Sequence, residues 1–190
     1  MRSFTLCVVR GLLHKQKKVR NTMKKIAILV DVQNIYYTTR QAYGRSFDYN
    51  GFWQQVLKDR TLYRALAYSS EPNAPKQQQF QNILRAIGFE VKQKPYIQRA
   101  DGSAKCDWDV GITLDAMECA PHCDVVVLLT GDGDFDLLAE RIQSRHNCEV
   151  EVYGVPQLTA NSLKRAATRY VAIDERLLLN AKPNHNKAGQ

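Results

Sequence analysis

Carboxylate side chains follow two apolar, β-branched segments of this chain, a placement suited to binding a metal ion. Residues 125–129 (VVVLL) lead into residues 130–136 (TGDGDFD). Residues 26–30 (IAILV) lead into Asp31, and Asn34 follows three residues later. In an open α/β sheet, ligands bind at the carboxyl ends of the strands, and crowded carboxylates repel one another unless a cation lies among them. The sequence therefore predicts one metal site shared by two strand ends.

The elements that must position these carboxylates alternate between strands and helices. Strands are predicted at 25–31, 61–69, 89–96, 125–130, 148–154 and 170–173. Helices are predicted at 33–43, 50–58, 75–87, 107–119, 134–145 and 159–168. This alternation predicts an α/β fold: a doubly wound, mostly parallel sheet with helices on both faces. A strand order of 3-2-1-4-5 places the strands that precede the two acidic segments side by side.

The helix predicted at 107–119 has an apolar stripe at helical spacing. Val110, Leu114 and Met117 are spaced i, i+4, i+7, so we expect them to pack on the sheet. Asp115 lies on another side of the same helix and is expected to face solvent.

Three motifs together resemble the NYN domain, a PIN-like group that includes the LabA-like proteins. They are residues 31–34 (DVQN), 106–112 (CDWDVGI) and 130–135 (TGDGDF). No single motif is specific, but the three in this order and at this spacing are. The resemblance covers about residues 24–175. It implies a single PIN-like domain and, where the acidic site is intact, metal-dependent ribonuclease activity.

The resemblance also implies a set of site residues. Four carboxylates correspond to the family's catalytic and metal-binding cluster: Asp31, Asp109, Asp132 and Asp134. Asn34 corresponds to its polar partner, and Asp107 is a candidate additional acid. The chemistry agrees, since Mg²⁺ or Mn²⁺ prefers carboxylate oxygens and can direct a water at a phosphodiester.

Each of these acids also has a purely structural explanation. Asp31 alone could form a turn or helix cap, and Asp109 could complement a helix dipole. Asp132 and Asp134 could cap the helix predicted to follow them. Their joint occurrence at two strand ends favours a site over four independent caps.

Basic and aromatic residues that follow the third strand are candidates for contacting RNA. They are Lys92, Lys94, Tyr96, Arg99 and Lys105. Cations that surround an aromatic ring suit the phosphates and bases of single-stranded RNA. Tyr36 and Tyr37 are further stacking candidates or, alternatively, core residues.

The net charge of +8 is concentrated at the chain ends. Residues 1–22 contain six basic residues and no acid, whereas residues 23–180 contain 19 of each sign. We expect residues 1–22 to be a disordered basic extension, or sequence ahead of the true start at Met23. The folded domain is expected at 23–177, followed by a flexible tail at 178–190.

Several function classes are excluded or left open by the residues. No apolar run is long enough to cross a bilayer, and five cysteines without a disulfide framework predict a cytoplasmic protein. EF-hand and dinucleotide-binding spacings are absent. The expected function is endonuclease-type hydrolysis of single-stranded or structured RNA. The alternatives are a catalytically weak RNA- or protein-binding module, and a DNA nuclease or phosphatase. The oligomeric state is left open, a dimer included.

Overall fold

The protein is described by a computed structural model that covers residues 23–95, 97–98, 104–105 and 107–180. The predicted extension at 1–22 and residues 181–190 of the predicted tail lie outside the described residues. No helix within the described ranges is both long and apolar enough to cross a membrane.

A six-stranded, all-parallel sheet forms the centre of the fold. Its strands are β1 (Lys24–Asp31), β2 (Arg60–Ser70), β3 (Glu90–Lys94), β6 (Val125–Leu129), β7 (Glu149–Gly154) and β8 (Arg169–Ala172). Their order across the sheet is β3-β2-β1-β6-β7-β8. The predicted α/β class and strand order are therefore confirmed. The sixth predicted strand corresponds to β8, which lies beside β7 at one side of the sheet.

Within the described residues, six α-helices cover the two faces of this sheet. They are α1 (Val32–Tyr43), α2 (Tyr49–Val56), α3 (Pro75–Ile87), α4 (Asp109–Cys119), α5 (Asp136–His146) and α6 (Asn161–Ala166). The buried residues form two apolar clusters, one with α1–α3 and the other with α4–α6. The predicted helices on both faces are thus confirmed.

The central strands β1 and β6 are apolar on both sides because both of their faces are covered. In β1, Ile28 packs on the α1–α3 side and Leu29 on the α4–α6 side. In β6, Val127 packs on the α1–α3 side and Leu128 on the α4–α6 side. The near-continuous apolar runs of the sequence follow from this double coverage.

The predicted orientation of α4 is wrong. Val110 and Leu114 are 74% and 65% exposed. Helix α4 instead buries Ile112, Ala116 and Cys119, which have the same i, i+4, i+7 spacing, together with Asp115. Periodicity alone could not choose between two stripes of equal spacing.

Asp115 is buried rather than solvent-facing, and it explains the orientation of α4. Its carboxylate accepts hydrogen bonds from the Tyr68 hydroxyl at 2.6 Å and from the Lys92 ammonium at 2.7 Å. Tyr68 lies on β2 and Lys92 on β3. A buried carboxylate needs such partners, and these partners lie on the sheet.

Several element boundaries differ from those predicted from sequence. Strand β3 ends at Lys94 rather than at residue 96, and a short antiparallel hairpin follows, made of β4 (Ile97–Gln98) and β5 (Ala104–Lys105). A 3-10 turn at Gly133–Phe135 precedes α5. At the other end of the domain, Leu178 is buried and pairs with Phe47.

Candidate metal centre

The carboxyl ends of β1 and β6 lie side by side. These parallel strands pair from Ile26 with Val125 through Val30 with Leu129. Asp31 therefore leaves β1 next to the point where β6 enters the TGDGDFD segment. The two acidic segments meet at one edge of the sheet, as the sequence predicted.

Three carboxylates converge at this edge although they lie far apart in the chain. One oxygen atom from each of Asp109, Asp132 and Asp134 lies within 4.8 Å of the other two. Asp109 comes from the start of α4, while Asp132 and Asp134 belong to the turn after β6. Three oxygen donors at this spacing are sufficient to hold a small divalent cation that keeps some of its waters.

Asp31 lies near this group but is not one of the three carboxylates that come within 4.8 Å of one another. Burial, together with the negative charges of Asp132 and Asp107, raises the pKa of Asp31 to about 6. Its carboxylate also accepts a hydrogen bond from the backbone N–H of Asn34 at 3.0 Å and caps α1. The Asp31 carboxylate therefore both caps α1 and adds a negative charge near the other carboxylates.

Asp107 and Asp109 interact directly at the start of α4. The carboxylate of Asp107 accepts a hydrogen bond from the backbone N–H of Asp109 at 3.0 Å. Burial, a side-chain hydrogen bond with Asp107, and the charges of Asp107, Asp132 and Asp31 raise the pKa of Asp109 to about 7. At least one carboxyl of the cluster therefore stays partly protonated near neutral pH without a cation.

Backbone hydrogen bonds hold the turn after β6 in place. The side-chain oxygen of Asn34 accepts a hydrogen bond from the Gly131 N–H at 2.9 Å. Thr130 Oγ1 accepts from the Asp132 N–H, and Asp132 accepts from the Asp134 N–H. Asn34 thus connects the two strand ends, a role that its position near Asp31 did not reveal.

Trp108 anchors the start of α4, a role that the sequence analysis missed. Its indole N–H donates to the carbonyl of Ser69 at 3.0 Å, and its ring lies 5.3 Å from that of Tyr68. The Lys94 ammonium donates to the carbonyl of Asp107 at 2.8 Å and lies over the Trp108 ring. In the sequence, this role is indicated only by the position of the tryptophan between Asp107 and Asp109.

The donor set fits a hard divalent cation. Every candidate ligand is a carboxylate oxygen, the type that Mg²⁺ and Mn²⁺ accept, with no thiol or imidazole among the grouped atoms. Burial first, and then repulsion by neighbouring carboxylates, raise the pKa values of Asp31 and Asp109. A bound cation would offset that repulsion.

The structure places the predicted RNA-contacting residues in different surroundings. The ammonium of Lys92 forms an ion pair with the buried Asp115, so it stabilises the fold. Lys94 is held at the start of α4. Tyr96, Arg99 and the side chain of Lys105 lie outside the described residues.

Comparisons with known proteins agree with this architecture. The chain is 25% identical over 159 residues to the "Low amplitude and bright protein LabA" of Synechococcus elongatus, covering 80% of this chain and 84% of that protein. It is 59% identical to a protein of unknown function, VPA0982, from Vibrio parahaemolyticus, whose crystal structure superposes with a TM-score of 0.80. That match covers 83% of this chain and 98% of the other.

The NYN domain family profile matches residues 25–174, a range that includes all of the parallel sheet except Lys24, and all of the clustered carboxylates. Because this range spans most of the 190 residues, the chain belongs to the NYN domain family.

Proposed function

We propose that the protein is a metal-dependent ribonuclease that hydrolyses phosphodiesters within single-stranded or structured RNA. The observation that carries this proposal is the convergence of Asp109, Asp132 and Asp134 at the carboxyl edge of the sheet. Membership of a family of PIN-like nucleases supports the same reaction class.

In this proposal Asp31, Asp109, Asp132 and Asp134 hold Mg²⁺ or Mn²⁺. The bound cation would activate a water for in-line attack and stabilise the charge on the leaving oxygen. Asp31 and Asp109 lose their protons when the site is loaded, since a metal ligand must be deprotonated. Asn34 is a positioning residue, because its bond to Gly131 holds the turn that presents Asp132.

RNA is the proposed partner, and the segment after β3 is its proposed contact surface. Lys94 ends β3, Lys105 ends β5 of the hairpin that follows, and Tyr96 and Arg99 belong to the same part of the sequence. Lys92 is left out of this surface because it pairs with Asp115. A cytoplasmic location is consistent with the three described cysteines, all of which are free thiols.

The proposal is tested by cleavage of a 5′-labelled single-stranded RNA with Mg²⁺, Mn²⁺ or a chelator. We expect internal cleavage that requires the cation and is lost in Asp132→Asn. Asp124→Asn is the matched control, because Asp124 caps the backbone at the amino end of the sheet. Single-stranded DNA of the same sequence and a phosphomonoester test the other phosphoester reactions.

A second candidate function is an RNA- or protein-binding module with little turnover. It is favoured by the hydrogen bonds that the carboxylates of Asp31, Asp107 and Asp132 accept from nearby backbone N–H groups. These bonds give each carboxylate a structural role that needs no metal. Tight RNA binding by a wild type that does not cleave with either cation would select this candidate.

A further inference from the structure

A cavity of about 640 Å³ lies beside the carboxylate cluster, between α1, α2 and α3. This volume is within the usual range of small-molecule sites, roughly 300–1,000 Å³. Its wall includes both aromatic rings and polar side chains. The residues that line it include Gln33, Tyr36, Tyr37, Asn50, Lys76 and Phe80.

The wall of the cavity adjoins residues of the candidate metal centre, although none of the clustered carboxylates lines it. Val32 and Gln33, which line it, directly follow Asp31. Ser69, at the end of β2, also lines it and accepts the hydrogen bond from Trp108 that anchors the start of α4. A polymer bound at the carboxylates therefore runs close to residues of this wall.

Two tyrosines present exposed rings on the α1 side of the cavity. Tyr36 and Tyr37 are 50% and 58% exposed, and their ring centroids lie 5.3 Å apart, edge to face. Exposed aromatic faces are the common platform on which single-stranded nucleic acid stacks its bases.

One cation and one carboxylate line the cavity, and a second cation lies beside its Tyr36 ring. Lys76 lines it, and the Arg40 guanidinium lies 5.8 Å from the centre of the Tyr36 ring. The carboxylate of Asp48 accepts hydrogen bonds from the backbone N–H groups of Asn50 and Gly51 as the cap of α2. Two cations against one carboxylate leave an excess of one positive charge around the cavity, which suits a phosphate.

The floor of the cavity is held by a buried amide. Gln81 is 1% exposed and donates to the hydroxyl of Ser69 and the carbonyl of Ser70. Gln93 donates in turn to the Gln81 side chain. This network ties α3 to the ends of β2 and β3, so the cavity does not depend on a loose loop for its shape.

We propose that this cavity binds the base of one unpaired RNA nucleotide that neighbours the phosphodiester held at the carboxylate cluster. The base stacks on Tyr36 or Tyr37, amide side chains such as Asn50 meet its polar edge, and Lys76 and Arg40 meet the flanking phosphates. The inference rests on the proposed function, because it takes RNA as the substrate. It adds that the bound strand is unpaired beside the site.

Binding of a fluorescent single-stranded RNA tests this subsite separately from cleavage. Affinities are measured by anisotropy in the Asp132→Asn background, so that the RNA stays intact. We expect Tyr36→Ala or Tyr37→Ala to weaken binding about fivefold or more, the usual effect of losing one base stack. Tyr36→Phe and Tyr37→Phe keep the ring and should bind within about twofold of the parent.

Tyr63→Ala is the matched control. Tyr63 is 43% exposed on β2 and has the Lys25 ammonium over its ring, at the amino end of the sheet. Its loss should leave RNA affinity unchanged. Equal melting temperatures for the tyrosine variants and their parent establish that the fold is retained.

Crosslinking identifies the base that enters the cavity. RNAs that carry a single 4-thiouridine at successive positions should crosslink to the α1 peptide from one position only, next to the cleaved bond. Crosslinks that are spread evenly along the RNA, or unchanged affinity in both alanine variants, would overturn the subsite.

The two proposals fail in different ways. If wild type cleaves RNA but the tyrosine variants bind normally, the subsite is wrong and the ribonuclease proposal stands. If the variants lose affinity while wild type does not cleave, the subsite stands and the ribonuclease proposal is wrong. If wild type binds no single-stranded RNA and a peptide library yields a ligand for the cavity instead, both are overturned.

Discussion

The side-chain oxygen of Asn34 accepts a hydrogen bond at 2.9 Å from the backbone N–H of Gly131, 97 positions away. This bond joins the first turn of α1 to the segment that presents Asp132 and Asp134. It connects the carboxyl ends of the two central strands, and it gives the polar residue after Asp31 a role in the fold as well as in the proposed site.

Asn34→Ala should therefore reduce both stability and activity. Losing one partner of a part-buried hydrogen bond costs about 1 kcal/mol of unfolding free energy, and the turn that holds Asp132 loses its tether. Urea denaturation and RNA cleavage measure the two effects. Asn82→Ala, on the exposed side of α3, should change neither quantity appreciably. Full activity in Asn34→Ala would show that the turn keeps its shape unaided.

Asp132→Asn should stabilise the protein in the absence of metal. Asparagine can still cap the Asp134 N–H, while removal of the charge relieves repulsion of Asp31 and Asp109. We expect a higher melting temperature with chelator and a smaller increase on adding Mg²⁺ or Mn²⁺. Asp124→Asn should keep the wild-type response to cation. A large destabilisation by Asp132→Asn would indicate that capping is the main role of this carboxylate.

Metal-free stability should fall as the pH rises from about 4 to about 7. The pKa values of Asp31 and Asp109 are raised from 3.8 to about 6 and about 7. Their stabilising contribution is therefore fully present below pH 3.8 and is lost as the pH rises through their folded-state pKa values. Melting curves with chelator between about pH 3 and pH 8, after subtraction of those of Asp31→Asn, isolate the contribution of Asp31, which should be lost between about pH 4 and pH 6.

Cation affinity should change with pH in the opposite direction. Binding requires deprotonated carboxylates, so affinity for Mg²⁺ or Mn²⁺ should increase between roughly pH 5 and pH 8 with release of protons. Calorimetry in two buffers of different ionisation enthalpy counts these protons. An affinity that does not vary over this range would exclude Asp31 and Asp109 as ligands.

Trp108→Phe should weaken cation binding more than it weakens the fold. Phenylalanine keeps the ring contact with Tyr68 but cannot donate to the Ser69 carbonyl, so the two aspartates beside it are less well positioned. Trp53→Phe, on α2 against Phe89, is the control and should lower stability without changing cation affinity. Equal cation affinities for the two variants would contradict a positioning role for Trp108.

Lys92→Ala should destabilise the fold and leave RNA affinity nearly unchanged. Burial opposes ionisation of Asp115, but hydrogen bonds from Lys92 and Tyr68 outweigh it and lower the pKa of Asp115. Removing Lys92 leaves that carboxylate poorly compensated, which costs about 1–3 kcal/mol. The double variant with Asp115→Ala should recover part of this loss. Lys24→Ala, which breaks an exposed pair with Glu149, should cost roughly 0–1 kcal/mol.

The sequence by itself determined the sheet and the edge where the carboxylates meet. Apolar runs such as residues 125–129 are buried on both faces of a parallel sheet, and that environment leaves a clear signal in composition. Glycine and proline marked the ends of α3 as well, with Pro75 in its first turn and Gly88 after its last. These features are local, so local patterns reveal them.

Only the tertiary structure decided which side of α4 faces the sheet and which polar groups are partners. Ile112, Ala116 and Cys119 share their spacing with Val110, Leu114 and Met117, so the periodicity is degenerate. The choice depends on Asp115 meeting Tyr68 and Lys92, which lie 47 and 23 positions away. The bond between Asn34 and Gly131 is likewise long-range. Pairings between distant segments depend on how the chain packs, so a local sequence pattern does not reveal them.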